Sequence, residues 1–311
     1  MTHANMDKVF TVIVTYNGSP WIERCIRCLL AGSVQTTVVV IDNASTDNTV
    51  ALLQQFADQV KIITNTDNKG FGAANNQGMQ HAYDGGARFC FLLNQDCYVF
   101  ENTIDLLVTA MTKNPSYGIL CPVQLNATGN GMDNRAARYM RRYYPRENLL
   151  SSESNALYPL SFMNAAAWMM SRKCLEKTGL FHPAFFHYGE DNNYASRLPT
   201  HGLKLGLLPA ARVIHDRSPR ETDEKKLLLR KLKTIPLYTL TDLRKPFPLA
   251  YMLARRAWSR LSKKLRKAGP HFDADIAREK LWFTSRLREA MQIRSKTSMP
   301  GFLINKHEAR D

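Results

Sequence analysis

Several things are scarce in this chain of 311 residues, and each scarcity excludes something. No apolar run approaches the ~18–20 residues that a helix needs to cross a bilayer, so a membrane-spanning protein is not expected. The amino terminus, MTHANMDK, lacks the pattern of a signal peptide. The six cysteines show no paired framework. Cys25 and Cys28 have the spacing of a redox pair but fall inside a helical pattern, and neither a second pair nor a nearby histidine completes a zinc site. They read as buried free thiols in a reducing, cytoplasmic setting. GFGAAN resembles a dinucleotide fingerprint, but it lacks the third glycine and follows the third strand rather than the first. Internal repeats and low-complexity segments are absent.

What is abundant is positive charge, and it is unevenly placed. The chain carries 42 Lys+Arg against 27 Asp+Glu, net +15. From Arg217 to Asp311 there are 24 basic and 10 acidic residues, whereas Met1 to Asp216 holds 18 and 17. The length suits one large domain with an appendage. Charge alone would admit nucleic acid as a partner, but no nucleic-acid fold motif accompanies it, so none is expected.

The first hundred residues alternate strand and helix. Val9 to Val14, Val38 to Ile41, Val60 to Ile63 and Phe89 to Leu93 are apolar runs that each open into polar residues. Trp21 to Leu30, Val50 to Phe56 and Ala73 to Tyr83 have helical periodicity. This pattern predicts a doubly wound α/β sheet with its helices on both faces. Right-handed crossovers place all four polar ends on one edge, where such sheets bind ligands. FLLNQDC is the most informative of them, because it sets the lone carboxylate of Asp96 just past a strand buried on both faces.

The crevice so formed holds Tyr16, Asp42, Lys69 and Asp96, a set suited to a nucleoside diphosphate. Tyr16 and Asn17 can flank a base, and Asp42 can accept from a pyrimidine imide. Gly70 and Gly72 allow close backbone approach, Lys69 is a cation for phosphate, and Asp96 is an oxygen ligand for a divalent metal. Each has a plain alternative: an Asx turn for Asp42-Asn43, a helix cap for Thr46, a solvated lysine for Lys69, and packing for Tyr16.

The order VIVTYN, VVIDNASTDNT, NKGFGAANNQG and LLNQD resembles the family 2 inverting glycosyltransferases, and among them the bacterial rhamnosyltransferase-like branch. The likeness continues through FMNAAAWMMSRKCLEKTGLF, FFHYGEDNNYASRL and ARVIHDRS, spanning about residues 8 to 218. It implies a GT-A fold, with a nucleotide-sugar half over about 1–100 and an acceptor half over about 101–218. It also implies transfer from a nucleoside-diphosphate sugar (dTDP- or UDP-linked, with rhamnose as one candidate) to a glycan or polyprenyl-linked acceptor of the cell envelope. The nucleotide-sugar set it implies is Thr15, Tyr16, Asn17, Asp42, Asn43, Lys69, Gly70, Gly72, Asn75, Asn94 and Asp96. Asp96 and His215 stand where the family holds Mg²⁺ or Mn²⁺, and Asp191, with Glu190 beside it, where the family has its general base. Trp168, Tyr188 and Arg197 are the acceptor-side candidates. Two positions depart from the family pattern: Asn94 replaces a frequent acidic residue, and Asn193 stands where many relatives have Asp. A catalytically weak scaffold therefore stays open. A nucleotidyltransferase would want a triphosphate loop where this chain has TYNGSPWIE.

The remainder, 219–311, reads as helices over about Glu224 to Thr234, Leu249 to Lys267 and Asp273 to Arg294. In the middle one, Tyr251, Ala254, Trp258, Leu261 and Leu265 share one face, and basic residues fill most of the rest. That pattern predicts docking on an anionic membrane surface, at the inner face of the cell membrane, with packing on the catalytic domain as the alternative.

Overall fold

The computed structural model describes residues 8–140, 155–217, 223–269, 272–277 and 287–305. Its centre is a nine-stranded sheet. β1 (Val9–Thr15), β2 (Thr37–Asp42), β3 (Lys61–Thr64) and β4 (Phe89–Asn94) run parallel in the order β3-β2-β1-β4. Alternate residues of these strands enter two separate cores, one on each face: Val12, Val39 and Leu92 on one side, Ile13, Val40 and Phe91 on the other. Both faces are covered by helices, so an unbroken apolar run is what each strand requires. The register pairs Thr15 with Asp42 and Val14 with Asn94, which brings the polar strand ends to one edge as the alternating pattern predicts.

α1 (Ile22–Leu30) buries Ile22, Cys25, Ile26 and Leu29, the i, i+3, i+4, i+7 stripe of an amphipathic helix. α2 (Thr49–Gln54) is short, and α3 (Phe71–Asp84) starts earlier than its apolar period suggests. Gly78 lets α3 lie directly on Val12 of β1, where any Cβ would collide with the valine methyls.

Beyond β4 the sheet becomes mixed. After β5 (Cys97–Val99), α4 (Thr103–Lys113), β6 (Tyr117–Leu125), α5 (Asn134–Met140) and β7 (Tyr158–Leu160), the strand β8 (Ala167–Ser171) inserts antiparallel between β4 and β6. α6 (Arg172–Thr178) and α7 (Glu190–Arg197) precede β9 (Lys204–His215), which runs parallel to β6 and antiparallel to β5 and β7.

Helices that follow are α8 (Glu224–Leu240), α9 (Phe247–Ala268) and α10 (Leu287–Ser298). α8 runs past the expected stop at Thr234 and through Pro236, held by the buried side chains of Leu232, Leu237 and Leu240. The stripe of α9 expected to meet a membrane packs instead within the protein. Ala254 lies with Leu240 of α8 and Ala290 of α10, and Leu265 lies with Leu232 of α8. The basic residues Arg255, Arg256, Arg260, Lys263 and Lys264 remain exposed. Part of the third expected tail helix, residues 278–286, lies outside the described residues. Among the described residues, no helix is long and apolar enough to cross a membrane.

Candidate active site

The site is built around the turn after β4. Asn94 N donates to the Ala166 carbonyl at 2.9 Å, and Gln95 Oε1 accepts from Thr15 Oγ1 at 2.6 Å and Tyr16 N at 2.9 Å. These bonds lock the turn between β1 and β8 and leave Asp96 at the sheet edge. The next strand, β5, pairs Cys97 with His215 at the end of β9, so the imidazole lands beside Asp96. His215 Nε2 lies 3.5 Å from Asp96 Oδ1, and its Nδ1 lies 3.1 Å from Gln124 Oε1. Gln124 thus fixes one side of the imidazole, and Nε2 is the ring nitrogen that faces the carboxylate. An imidazole nitrogen and a carboxylate at this spacing are a candidate pair of cation ligands. Asp96, Cys97 and His215 place ligand atoms within 4.8 Å of one another. Burial and the neighbouring Asp96 push the Cys97 thiol far above its ordinary value, and the carboxylate oxygen and imidazole nitrogen are the donors that a hard ion prefers. That pair fits a hard divalent ion that completes its shell with phosphate oxygens and water.

Two cavities adjoin at this point. The first, about 590 Å³, runs from the end of β1 to α8 and is walled by Val14, Tyr16, Asn43, Gly70, Phe186 and Lys233, among others. The second, about 530 Å³, is walled by Tyr139, Asn164, Glu190, Asp191, His215 and Tyr238 among others. Asn94, Asp96, Phe71, His187, Tyr188, Arg230 and Thr234 belong to both walls, so they form one cleft with two chambers and α8 as its common roof.

In the first chamber the polar groups hold one another. Asn43 Oδ1 accepts from Asn65 Nδ2 at 3.1 Å and Lys69 N at 3.0 Å, while its Nδ2 donates to Asn68 Oδ1 at 2.9 Å. Asp42, next to it, is buried. Its Oδ2 accepts from Ser45 N at 3.2 Å, and its Oδ1 has no partner among the described residues. Asp42 itself lines neither chamber, whereas Asn43 beside it lines the first.

In the second chamber, Gly189 (φ +95°) makes the left-handed turn that starts α7 and sets Glu190 and Asp191 at its first two positions. Asp191 Oδ1 accepts from Asn192 N at 2.7 Å and Asn192 Nδ2 at 3.0 Å, and its carboxylate also takes the Ala165 amide. Burial raises both acids. Glu190 rises further, because it is more deeply enclosed and faces the Asp191 charge, and its Oε2 lacks a partner among the described residues. Both acids are therefore raised, and of the two Asp191 carries the hydrogen bonds that oppose the rise.

The structure brings together Tyr16, Asn43, Gly70, Asn94, Asp96, Tyr188, Glu190, Asp191 and His215 on the cleft walls. It gives the other sequence candidates different work. Thr15 is buried and bonded to Gln95. Asn17 (φ 47°) accepts from Thr46 N at 2.8 Å, tying two loops together. Lys69 Nζ pairs with Asp67 at 3.0 Å. Gly72 spares room for Phe181 and Glu190 where α3 meets α7, and Asn75 donates to the Phe71 carbonyl at 2.9 Å inside α3. On the acceptor side, Trp168 is fully buried and stacks on Phe181 at 6.3 Å. Arg197 is also fully buried, donating to the carbonyls of Thr178 at 2.9 Å and Leu180 at 2.7 Å. Desolvation lowers its pKa to about 10. Neither lines a chamber; both hold α7 in place. Asn193, one departure from the family pattern, is likewise buried away from the cleft.

Sequence reading passed over Gln124, Arg135, Arg138, Tyr139, Asn164, Arg217, Arg230 and Tyr238. Gln124 carried a usable signal, a lone polar residue inside the apolar strand YGILCPVQL where burial demands a partner. The others come from separate elements and meet only once the tail folds over the domain.

The comparisons with known proteins give the family and the fold. The model for glycosyl transferase family 2 matches residues 11–179, more than half of the chain, and the protein belongs to that family. It is therefore a glycosyltransferase. It is 26% identical over 240 residues to the N-acetylglucosaminyl-diphospho-decaprenol L-rhamnosyltransferase of Mycobacterium tuberculosis, covering 68% of this chain and 77% of that protein. Its fold is shared with S. aureus TarS 1-349, crystallised with UDP-GlcNAc. The TM-score is 0.61 at 13% identity, over 94% of this chain and 89% of that one. It is shared also with the mannosyltransferase PcManGT of Pyrobaculum calidifontis, crystallised with GDP-Man and Mn²⁺. There the TM-score is 0.56 at 17% identity, over 93% and 86%. These neighbours are GT-A enzymes, the fold class predicted from the alternating strands.

Proposed function

We propose that the protein transfers a sugar, with rhamnose the first candidate, from a dTDP- or UDP-linked donor to a glycan on a polyprenyl carrier, with inversion at the anomeric carbon. The observation that carries this reading is the shared wall at Asp96. A chamber suited to a nucleotide and a chamber holding an ionisable carboxylate adjoin there, so a donor sugar lying across Asp96 meets an acceptor hydroxyl facing Asp191. The mycobacterial relative, by its name, is a rhamnosyltransferase for a diphospho-decaprenol-linked sugar, which supports both the sugar and the acceptor class.

The chain's own residues then divide the chemistry. Tyr16 offers a face for the base, and Asp42 Oδ1 accepts from the base edge. Asp96 and His215 would hold Mg²⁺ or Mn²⁺, which when bound offsets the charge that builds on the leaving diphosphate. Asp191 takes the proton of the attacking hydroxyl, a step that contributes on the order of 10²–10⁴-fold. The amides of Asn192 and Ala165 offset part of the burial that raises Asp191, and Glu190, raised further, is the acid of the pair that holds its proton more strongly. Direct displacement needs no covalent sugar–enzyme bond.

We assign 1–218 to the catalytic domain, with α8 of the tail as part of the cleft. The exposed basic face of α9 supports peripheral binding to an anionic membrane at its cytoplasmic side, now through charge rather than an inserted apolar stripe. Flotation with anionic and neutral liposomes tests this: equal binding to both contradicts it.

A thermal-shift panel of dTDP, UDP, GDP and CMP, each with and without Mn²⁺, tests the main reading. A ligand at about 100 times its Kd adds roughly 2.7 kcal/mol. The expected result is a Mn²⁺-dependent shift with dTDP or UDP. No shift with any nucleotide contradicts the reading.

A further inference from the structure

The Asp191 chamber holds more positive charge than a neutral sugar acceptor needs. Arg135 and Arg138 stand one turn apart on α5, Arg217 follows β9, and Lys231 comes from α8; all four line this chamber and none lines the other. Arg217 pairs with Asp133 at 2.8 Å, and Asp133 also caps α5 by accepting from Arg135 N and Ala136 N. Arg135, Arg138 and Lys231 pair with no carboxylate among the described residues, and all three are exposed at the chamber wall. Of the first chamber's cations, Lys233 lines that chamber alone and Arg230 lines both.

Cations around a general base carry a cost, since they favour its ionised form and weaken it as a proton acceptor. A bound dianion cancels that cost. Beside Lys231, one turn before and one turn after on α8, the half-buried Leu227 and Ile235 add apolar wall to the same chamber. Cations from three elements next to an apolar strip match an amphiphilic diphosphate: the phosphates on the cations, the first isoprene units on the leucine and isoleucine.

Resting on the glycosyltransferase reading above, we infer that Arg135, Arg138, Arg217 and Lys231 form a second anion site that grips the diphosphate of a prenyl-diphosphate-linked sugar acceptor, apart from the Asp96 end that takes the donor diphosphate. A sugar held by that diphosphate lies between Tyr139, Tyr238 and Asp191, where the carboxylate can reach one of its hydroxyls. The site would make the enzyme prefer lipid-diphosphate acceptors over simple glycosides.

The test needs no knowledge of the acceptor sugar. Farnesyl diphosphate is titrated into the full-length protein saturated with Mn²⁺ and whichever nucleotide gives the thermal shift, with farnesol and inorganic pyrophosphate as parallel arms. Farnesyl diphosphate should bind without displacing the nucleotide, pyrophosphate more weakly, and farnesol not at all. Arg135→Ala/Arg138→Ala should weaken farnesyl diphosphate by at least about tenfold, about 1.4 kcal/mol. Its nucleotide shift should stay unchanged, which also shows that the variant is folded. Lys231→Ala should act in the same direction with less disturbance of α5. Three results each overturn the inference: no binding to the wild type, displacement of the nucleotide, or unchanged affinity in both variants. Because the nucleotide shift is read in the same samples, failure of this site is separable from failure of the glycosyltransferase reading.

Discussion

The two chambers of the cleft differ in how they are made. The nucleotide chamber lies at the ends of strands β1, β2 and β4. Its polar side chains form a closed net in which Asn43 alone ties Asn65, Asn68 and Lys69 together. The Asp191 chamber is assembled from α5, α7, the end of β9 and α8, where cations, among them Arg135, Arg138 and Lys231 that pair with no carboxylate among the described residues, share the wall with two acids that burial keeps raised. One chamber is preorganised by local hydrogen bonds. The other depends on elements far apart in the chain staying docked.

Substitutions that strike only one chamber sharpen this contrast. The largest expected stability effect lies under the Asp191 chamber. Trp168→Ala should cost about 3–5 kcal/mol, because a fully buried indole packed on Phe181 and Tyr194 is lost. Differential scanning calorimetry reads the loss. At permissive temperature the nucleotide affinity should survive, whereas loss of nucleotide binding in a folded variant would break the division between chambers. Next, at the metal end, Gln124→Leu removes the acceptor that orients His215. It should weaken Mn²⁺ by about 10–100-fold, measured as the Mn²⁺ concentration needed for the nucleotide shift, with no change in acceptor KM. The smallest effect tests the acid pair. Glu190 titrates in the folded state well above its ordinary 4.5, so the folded protein holds a proton that the unfolded chain releases. Stability is therefore fully present below 4.5 and declines as the pH rises toward the folded-state value. Glu190→Gln should abolish that decline and raise Tm at neutral pH by about 2–4 °C, with the gain vanishing in acid. An equal gain at both pH values contradicts a neutral Glu190.

The same contrast decides what could be read from sequence. The first four strands, their order along the ligand edge, and Asp96, Tyr16 and Asn43 follow from local apolar runs that end in polar residues. Asp191 and His215 became visible through family resemblance, because their neighbours in space are distant in sequence. Trp168 and Arg197 misled for one physical reason: an aromatic and a cation near a sugar site suit substrate contact, yet here they pack behind α7 and hold it. The tail misled in a related way. The stripe on α9 is amphipathic whether it meets lipid or protein, and only the partner stripes on α8 and α10 decide between them. α8 itself showed as a helix, but nothing local signalled that Arg230 and Tyr238 would roof the cleft.

The most direct test of the central claim, that one chamber binds the nucleotide and the other supplies the base, is Asp191→Asn read twice in the same preparation. The expected result is a transfer rate lower by on the order of 10²–10⁴-fold, with the Mn²⁺-dependent nucleotide shift intact. Full transfer activity in that variant, or loss of the nucleotide shift along with transfer, would contradict it.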